Sequence, residues 1–258
     1  MKACIFDLDG TLLDSLRVWE QLDIAFLGKR EITVPADYAD TIAALSIREA
    51  AVYTIQRFGF PEDPDTLIAE WKAMALHAYS HTVMLKPYAK DYLLKLKTNH
   101  IKLAIATSLP HTLSAPVLDR HGITPLFDTI CSADETPYGK NHPDIYILAA
   151  TRLGIPSQHY HEIIVFEDIL QAVRSAKKAG MTVYGVYDET SAKHWETVKQ
   201  VADGAIHNFR EAPLPPTPLP PAPLPSATLP PGEPPFTQKP PSDTKRSSNT
   251  QCKPWSPT

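Results

Sequence analysis

Four acidic residues of this sequence stand directly after two apolar runs. Asp7 and Asp9 follow the first run, and Glu167 and Asp168 follow the run that ends at Phe166. Two carboxylates about 4 Å apart repel by roughly 4 kcal/mol at an effective dielectric near 20, so several of them in one place need a cation. Oxygen ligands without a nearby histidine–cysteine cluster favour Mg²⁺ over a transition metal. The residue types therefore predict a magnesium site.

Two hydroxyl groups and an ammonium group complete the set of candidate residues. Thr107 and Ser108 follow a second apolar run, and Lys140 lies in a loop before a predicted helix. A divalent cation and the lysine ammonium would form a positive cradle for a phosphoryl group, to which Thr107 would donate a hydrogen bond. The alternative for the first pair of aspartates is a plain strand-to-helix turn, in which Gly10 supplies an unusual backbone angle.

The elements that position these residues follow from continuous apolar runs, which are typical of strands buried on both faces of a parallel sheet. The runs are Ala3–Phe6, Leu103–Ala106, Ile163–Phe166 and Val183–Val186. Helical patterns lie at about Ala89–Thr98, Leu113–His121, Asp144–Leu153 and Leu170–Ala179. This alternation predicts an α/β fold with a Rossmann-like parallel sheet. Ligands bind beyond the carboxyl ends of such strands, where the candidate residues lie.

A long block after the first strand shows helical patterns only. The helical segments are Arg17–Leu27, Pro35–Ala44, Ile47–Phe58 and Asp65–Ser80. The block is too long for a crossover connection, so it predicts an inserted all-helical cap domain over residues 15–86. The core domain is then discontinuous, made of residues 1–14 and 87–210. Trp71, Met74 and Tyr79 are expected to pack inside the cap.

The C-terminal residues 211–258 differ in composition from the rest of the chain. Sixteen of the 26 prolines fall in residues 213–257, in repeats of P-L-P and P-x-x-P. Such a segment predicts a polyproline II or disordered tail. It is either a spacer without a dedicated partner or a ligand for an SH3- or WW-type module.

Charge and cysteine content exclude several classes of protein. The formal net charge is −4, which argues against a nucleic-acid surface. Cys4, Cys131 and Cys252 are scattered thiols, as in an intracellular protein, not a disulfide framework. No apolar run reaches the roughly 18–20 residues of a membrane helix. The sequence thus predicts a cytoplasmic protein with neither a nucleic-acid nor a membrane partner.

Four motifs together resemble the haloacid dehalogenase-like (HAD) superfamily of phosphatases and phosphomutases. They are D-L-D-G-T, L-A-I-A-T-S, G-K-N-H-P-D-I-Y, and F-E-D followed by A-G-M. The helical block between the first two strands is similar to the cap of the β-phosphoglucomutase-like branch. The resemblance covers about residues 1–210.

The resemblance implies a role for each matching residue. Asp7 would be the nucleophile that accepts the phosphoryl group, and Asp9 the acid and base. Thr107 and Lys140 would hold the phosphoryl group, with Ser108 as a further substrate-binding candidate. Mg²⁺ would be bound by Asp7, the backbone carbonyl of Asp9, Asp168 and Glu167.

Several positions depart from the family pattern. Ile169, Ala172 and Asn141 replace a serine, a glycine and a proline that are usual beside the motifs. Trp19 stands where the β-phosphoglucomutases generally have a histidine, which favours hydrolysis over mutase chemistry. In the segment S-I-R-E-A, Arg48 is either a contact for the far end of the substrate or a solvated helix residue.

The sequence as a whole predicts a Mg²⁺-dependent phosphatase of a small phosphorylated metabolite, such as a sugar phosphate. The mechanism would proceed through an aspartyl-phosphate. The alternatives are a sugar phosphomutase and a non-catalytic HAD scaffold that presents a proline-rich interaction tail.

Overall fold

The computed structural model of the chain describes residues 1–43 and 47–215. Within these residues there are nine α-helices and eight β-strands. The helices are α1 Leu16–Gly28, α2 Tyr38–Ala43, α3 Ile47–Phe58, α4 Pro64–His81, α5 Ala89–Thr98, α6 His111–Arg120, α7 Asp144–Arg152, α8 Leu170–Lys178 and α9 Trp195–Val201. The strands are β1 Ala3–Phe6, β2 Leu13–Asp14, β3 Met84–Leu85, β4 Lys102–Thr107, β5 Thr129–Ser132, β6 Ile163–Glu167, β7 Thr182–Val186 and β8 Gly204–Ile206.

Six strands form one parallel sheet in the order β5-β4-β1-β6-β7-β8. The predicted α/β fold is therefore confirmed, and the four predicted strands form the centre of the sheet. The edge strands β5 and β8 are absent from the prediction. β5 contains only one fully buried residue, Cys131, and β8 has three residues of which one is buried, so neither gives a continuous apolar run.

Side chains of the central strands alternate between two apolar layers. Cys4 and Phe6 of β1 point into one layer, and Ala3 and Ile5 into the other. The ring of Phe6 stacks on that of Phe166 in β6, with centroids 4.9 Å apart. Both faces of the sheet are thus covered, as the apolar runs predict.

Helices α1–α4 lie between β1 and β4 in the chain, where the helical insert is expected. α4 begins after Asp63, whose side chain accepts hydrogen bonds from the backbone N–H groups of Asp65 (2.9 Å) and Thr66 (3.1 Å). One correction concerns the predicted all-helical range 15–86, because Met84–Leu85 forms a strand paired with Leu13–Asp14. The division into core and cap domains stays a prediction.

The two segments that lead into and out of the helical insert are bonded to each other and to the main sheet. Besides the β2–β3 pairing, the backbone N–H of Lys86 donates to the carbonyl of Leu12 (2.8 Å). The ammonium of Lys86 also lies 2.5 Å from Asp188, just beyond β7. Lys86 therefore joins the insert's exit to the carboxyl-terminal edge of the sheet.

Some predictions fall beyond the part of the chain that the structure describes. Of the predicted proline-rich tail, residues 216–258 lie outside it, together with Cys252. Cys4 and Cys131 are free, buried thiols. Among residues 1–43 and 47–215, no helix has the length and apolar character needed to cross a bilayer.

Candidate active site

A tight turn after β1 presents the two N-terminal aspartates. The N–H of Asp7 donates to the carbonyl of Phe166 in the neighbouring strand β6 (3.1 Å), so Asp7 still belongs to the sheet edge. Gly10 has φ 78°, in the left-handed region that glycine adopts without strain. Its N–H donates to the carbonyl of Leu13 (3.0 Å). The predicted turn with its left-handed glycine is confirmed, but it leads into β2 and not directly into a helix, and it places both carboxylates at the end of β1.

Asp7, Glu167 and Asp168 form one buried acidic cluster. One carboxylate oxygen from each lies within 4.8 Å of the others. Glu167 Oε2 and Asp168 Oδ2 are buried without a hydrogen-bond partner. Unpartnered buried carboxylate oxygens are costly, and a bound cation would satisfy them. The donor set is oxygen only, so these residues fit a hard divalent ion such as Mg²⁺.

Lys140 enters the cluster from a short helical turn, Gly139–Asn141. Its ammonium forms ion pairs with Asp7 Oδ1 and with Glu167 Oε1, the second at 2.5 Å, and the side chain is 12% exposed. Burial alone would lower the pKa of Lys140, but the carboxylates of Asp7 and Glu167 raise it above its usual value. Lys140 is therefore a permanent positive charge beside Asp7.

Two further side chains orient the carboxylates of Glu167, the last residue of β6, and of Asp168. Tyr146 of α7 donates its hydroxyl proton to Glu167 Oε1 (2.7 Å), and Thr11 donates to Asp168 Oδ1 (3.4 Å). Burial, reinforced by the negative charge of Asp7, raises the pKa of both Glu167 and Asp168. A positive charge bound beside these two carboxyl groups would favour their ionised form.

Asp9 is not one of the three clustered carboxylates, and it is bound by two hydroxyl groups. Ser15 Oγ (2.5 Å) and Tyr79 OH (2.7 Å) both donate to the same oxygen, Asp9 Oδ1. Burial raises the pKa of Asp9 to about 6, against the lowering effect of these two hydrogen bonds. A carboxyl group with this pKa can carry a proton near neutral pH and release it again, as a general acid and base must.

The remaining predicted residues divide into two groups. Thr107 is buried at the end of β4, and its oxygen accepts a hydrogen bond from the N–H of Leu109 (3.0 Å), which leaves the hydroxyl proton free to donate. Ser108 is exposed beside it. Arg48 lies at the start of α3, 65% exposed, and pairs with Asp65 of α4 (2.7 Å). Its contact with a substrate stays a prediction.

The site thus contains residues to which the sequence analysis gave no catalytic or binding role, although Tyr146 is the last residue of the motif G-K-N-H-P-D-I-Y. Tyr79 is fully buried, as expected of a packing residue, but its hydroxyl also reaches Asp9. Ser15 and Tyr146 orient a carboxylate each. A tyrosine within a conventional helical pattern does not show from sequence which distant residue it contacts.

The family model of the haloacid dehalogenase-like hydrolases matches residues 1–180. The chain belongs to this family. The membership predicted from the motifs is therefore confirmed over residues 1–180, which contain all four motifs except for Met181, the last residue of the fourth.

Curated and structural relatives of this HAD-like hydrolase agree with the family. It is 27% identical over 187 residues to a phosphorylated carbohydrates phosphatase of Thermotoga maritima, covering 72% of this chain and 85% of the relative. A HAD hydrolase of family IA, variant 3, from Entamoeba histolytica has a similar structure, with TM-score 0.66, 25% identity, and coverage of 83% of this chain and 96% of the other. A β-phosphoglucomutase of Clostridium difficile shares the fold, with TM-score 0.59, 21% identity and coverage of 81% and 92%.

Proposed function

We propose that the protein is a Mg²⁺-dependent phosphatase that hydrolyses monoesters of small phosphorylated metabolites, including sugar phosphates. The observation that supports this most directly is the meeting of Lys140 with Asp7, Glu167 and Asp168 at one buried edge of the sheet. The related Thermotoga maritima phosphatase, named for phosphorylated carbohydrates, supports the substrate class. A cytoplasmic location is part of the same proposal.

In this mechanism Asp7 is the nucleophile. A carboxylate oxygen of Asp7 attacks phosphorus, and the bond between phosphorus and the alcohol oxygen breaks, which gives an aspartyl-phosphate. Lys140 stabilises the negative charge beside Asp7, and the Thr107 hydroxyl donates to a phosphoryl oxygen. Glu167 and Asp168, with Asp7, would hold Mg²⁺, which supplies the positive charge that offsets the phosphoryl oxygens.

Asp9 carries the proton in both halves of this reaction. Because Ser15 and Tyr79 both donate to Oδ1, the proton that Asp9 gives to the leaving alcohol is carried by Oδ2. The ionised Asp9 then takes a proton from the water that attacks phosphorus, and the acyl-phosphate bond breaks to return Asp7 as a carboxylate. Each group ends the cycle in the state in which it began.

Two alternatives from the sequence are less well supported. A phosphomutase of the β-phosphoglucomutase type would be expected to have a histidine where this chain has Trp19. A non-catalytic scaffold would have no need for a buried lysine that bridges two carboxylates, an arrangement that is expensive to desolvate. We therefore retain hydrolysis as the proposed reaction.

The test is release of inorganic phosphate by the purified full-length protein from p-nitrophenyl phosphate and a panel of sugar phosphates. We expect turnover with Mg²⁺, its loss on addition of EDTA, and its recovery with excess Mg²⁺. The Asp7→Asn variant should be inactive, whereas Asp134→Asn, which changes an exposed acidic residue, should not. Isomerisation of a hexose 1-phosphate without free phosphate would establish a mutase instead, and complete inactivity on the panel would refute the phosphatase.

A further inference from the structure

Trp19 is an unusually accessible tryptophan beside the proposed acid. It lies in α1, one helical turn after Ser15, and is 39% exposed, whereas Trp71 of the neighbouring α4 is 7% exposed. Tryptophan is highly buried on average, and an exposed indole face offers a large, flat apolar contact for a ring. The functional question is therefore where this exposed indole lies relative to Asp9.

A short series of contacts connects the indole to Asp9. The ring centroids of Trp19 and Tyr79 are 6.5 Å apart, with the planes tilted by 55°. The hydroxyl of Tyr79 donates to Asp9 Oδ1, as does that of Ser15, which precedes α1. Trp19 is thus separated from the proposed acid by a single side chain.

The position of the acid indicates which part of a substrate lies nearest to Trp19. Asp9 must contact the ester oxygen of the leaving alcohol, so the body of that alcohol extends from Asp9 over the neighbouring side chains. Tyr79 is fully buried, and its hydroxyl donates to Asp9, whereas the neighbouring Trp19 is partly exposed to solvent. We therefore expect an alcohol of two or three carbon atoms to end close to Asp9, and one that carries a ring to reach the indole.

On the basis of the phosphatase function proposed above, we propose that Trp19 is a specificity-determining residue that packs its indole face against a ring in the leaving alcohol. The substrates it selects are phosphate monoesters of ring-bearing alcohols with a flat apolar face, in preference to short open-chain phosphates. Such a face is offered both by the C–H groups of a sugar ring and by a nucleoside base. Aromatic contacts of this kind contribute enough to change specificity by about an order of magnitude.

The experiment compares kcat/KM for three substrates: a hexose phosphate, a pyrimidine nucleoside 5′-monophosphate and glycerol phosphate. For Trp19→Ala we expect about a tenfold fall with at least one of the two ring-bearing esters and less than about a twofold change with glycerol phosphate. Trp19→Phe keeps an aromatic face and should retain most of the activity that Trp19→Ala loses. Ile24→Ala, a change at an exposed apolar residue of the same helix, should leave all three values unchanged. The ring ester that responds tells whether sugar or base makes the contact.

Other outcomes separate this proposal from the function on which it rests. An equal fall with all three esters, or no fall with either ring-bearing ester, would overturn the role of Trp19 while leaving the phosphatase intact. The role of Trp19 would also be overturned if Trp19→Phe lost as much selectivity as Trp19→Ala. If the wild-type protein hydrolyses no phosphate monoester, the phosphatase itself is refuted, and Asp7→Asn then makes no difference.

Discussion

The hydroxyl of Tyr79 donates a 2.7 Å hydrogen bond to Asp9 Oδ1 and so joins two residues seventy positions apart in the chain. Tyr79 lies in α4 of the helical insert, and Asp9 in the turn that follows the first strand of the sheet. Burial and the negative charge of Asp9 raise the pKa of Tyr79 well above its usual value, so the phenol remains a donor. The insert thereby holds the proposed acid in one orientation.

The first prediction concerns this hydrogen bond. Tyr79→Phe removes it and keeps the ring, so Asp9 should lose orientation as an acid while the nucleophile is untouched. We expect kcat/KM for a sugar phosphate to fall about tenfold, because its alkoxide needs a proton. For p-nitrophenyl phosphate, whose leaving group needs none, kcat/KM should change less than about twofold.

Tyr38→Phe is the matched control, because it removes another buried tyrosine hydroxyl, bonded to Thr54 at 2.8 Å and not to the site. It should leave the ratio of the two kcat/KM values unchanged. An equal loss with both esters in Tyr79→Phe would show that Tyr79 has only a structural role.

The acidic cluster predicts a metal-dependent stability. Mg²⁺ that binds the folded state alone should raise the melting temperature by about 5–10 °C at a hundredfold excess over its Kd. Asp168→Asn should abolish most of this rise, because it removes a ligand from the cluster of Asp7, Glu167 and Asp168. Without Mg²⁺, the variant should melt at or above the wild-type temperature, since one of three neighbouring negative charges is gone.

Differential scanning fluorimetry with and without Mg²⁺ measures this effect independently of activity. Glu196→Gln, a change at a carboxylate that is 78% exposed, should respond to Mg²⁺ like the wild type. If Mg²⁺ raises the melting temperature of Asp168→Asn as much as that of the wild type, the ion binds outside this cluster.

The sequence could predict the central sheet and the convergence of its polar residues because both depend on local patterns. Four continuous apolar runs mark the strands, and the rule that ligands bind at their carboxyl ends brings Asp7, Thr107, Glu167 and Asp168 to one edge. Lys140 lies in a loop, where the strand-end rule gives no position, so its place in the set depended on its charge and on the resemblance to the family. Its ion pairs with Asp7 and Glu167 agree with that assignment.

What the sequence could not predict depends on long-range packing. The partly buried strand at Thr129–Ser132 and the short strand at Gly204–Ile206 are stabilised by pairing with β4 and β7, not by an apolar run of their own. The bond from Tyr79 to Asp9 requires the insert to fold over the first turn of the core, and no residue near either position indicates it.

The ion pair of Lys86 and Asp188 gives a stability prediction. The two side chains are 11% and 5% exposed, and Thr190 donates to the second oxygen of Asp188 through both its N–H (2.9 Å) and its hydroxyl (2.6 Å). Lys86→Met leaves a buried carboxylate without its cation, so the free energy of unfolding should fall by about 3 kcal/mol. Urea denaturation of the wild type and of Lys86→Met measures this difference in the free energy of unfolding.

A double variant and a surface variant test the cause of this loss. Adding Asp188→Leu to Lys86→Met removes the stranded charge and should recover part of the stability. Lys97→Met breaks the more exposed pair with Asp128 and should cost less than about 1 kcal/mol. A loss in Lys86→Met no larger than that in Lys97→Met would contradict the prediction.

The last prediction concerns Asp23, a half-buried residue of α1 whose pKa is raised by burial to about 6. Its ordinary pKa is near 4, so the folded state holds the proton more tightly than the unfolded state, and ionisation of Asp23 lowers stability as the pH rises from about 4 to about 6. Asp23→Asn should therefore raise the free energy of unfolding at pH 7.5 by about 1 kcal/mol, a value reduced for partial solvent screening. Urea denaturation at pH 4.5, 6 and 7.5 should show this advantage growing up to about pH 6 and constant above it.

The control is Glu20→Gln, a change at an exposed carboxylate of the same helix, which should give no stability advantage at any pH. If the advantage of Asp23→Asn does not change with pH, asparagine acts by packing and not by removal of the charge.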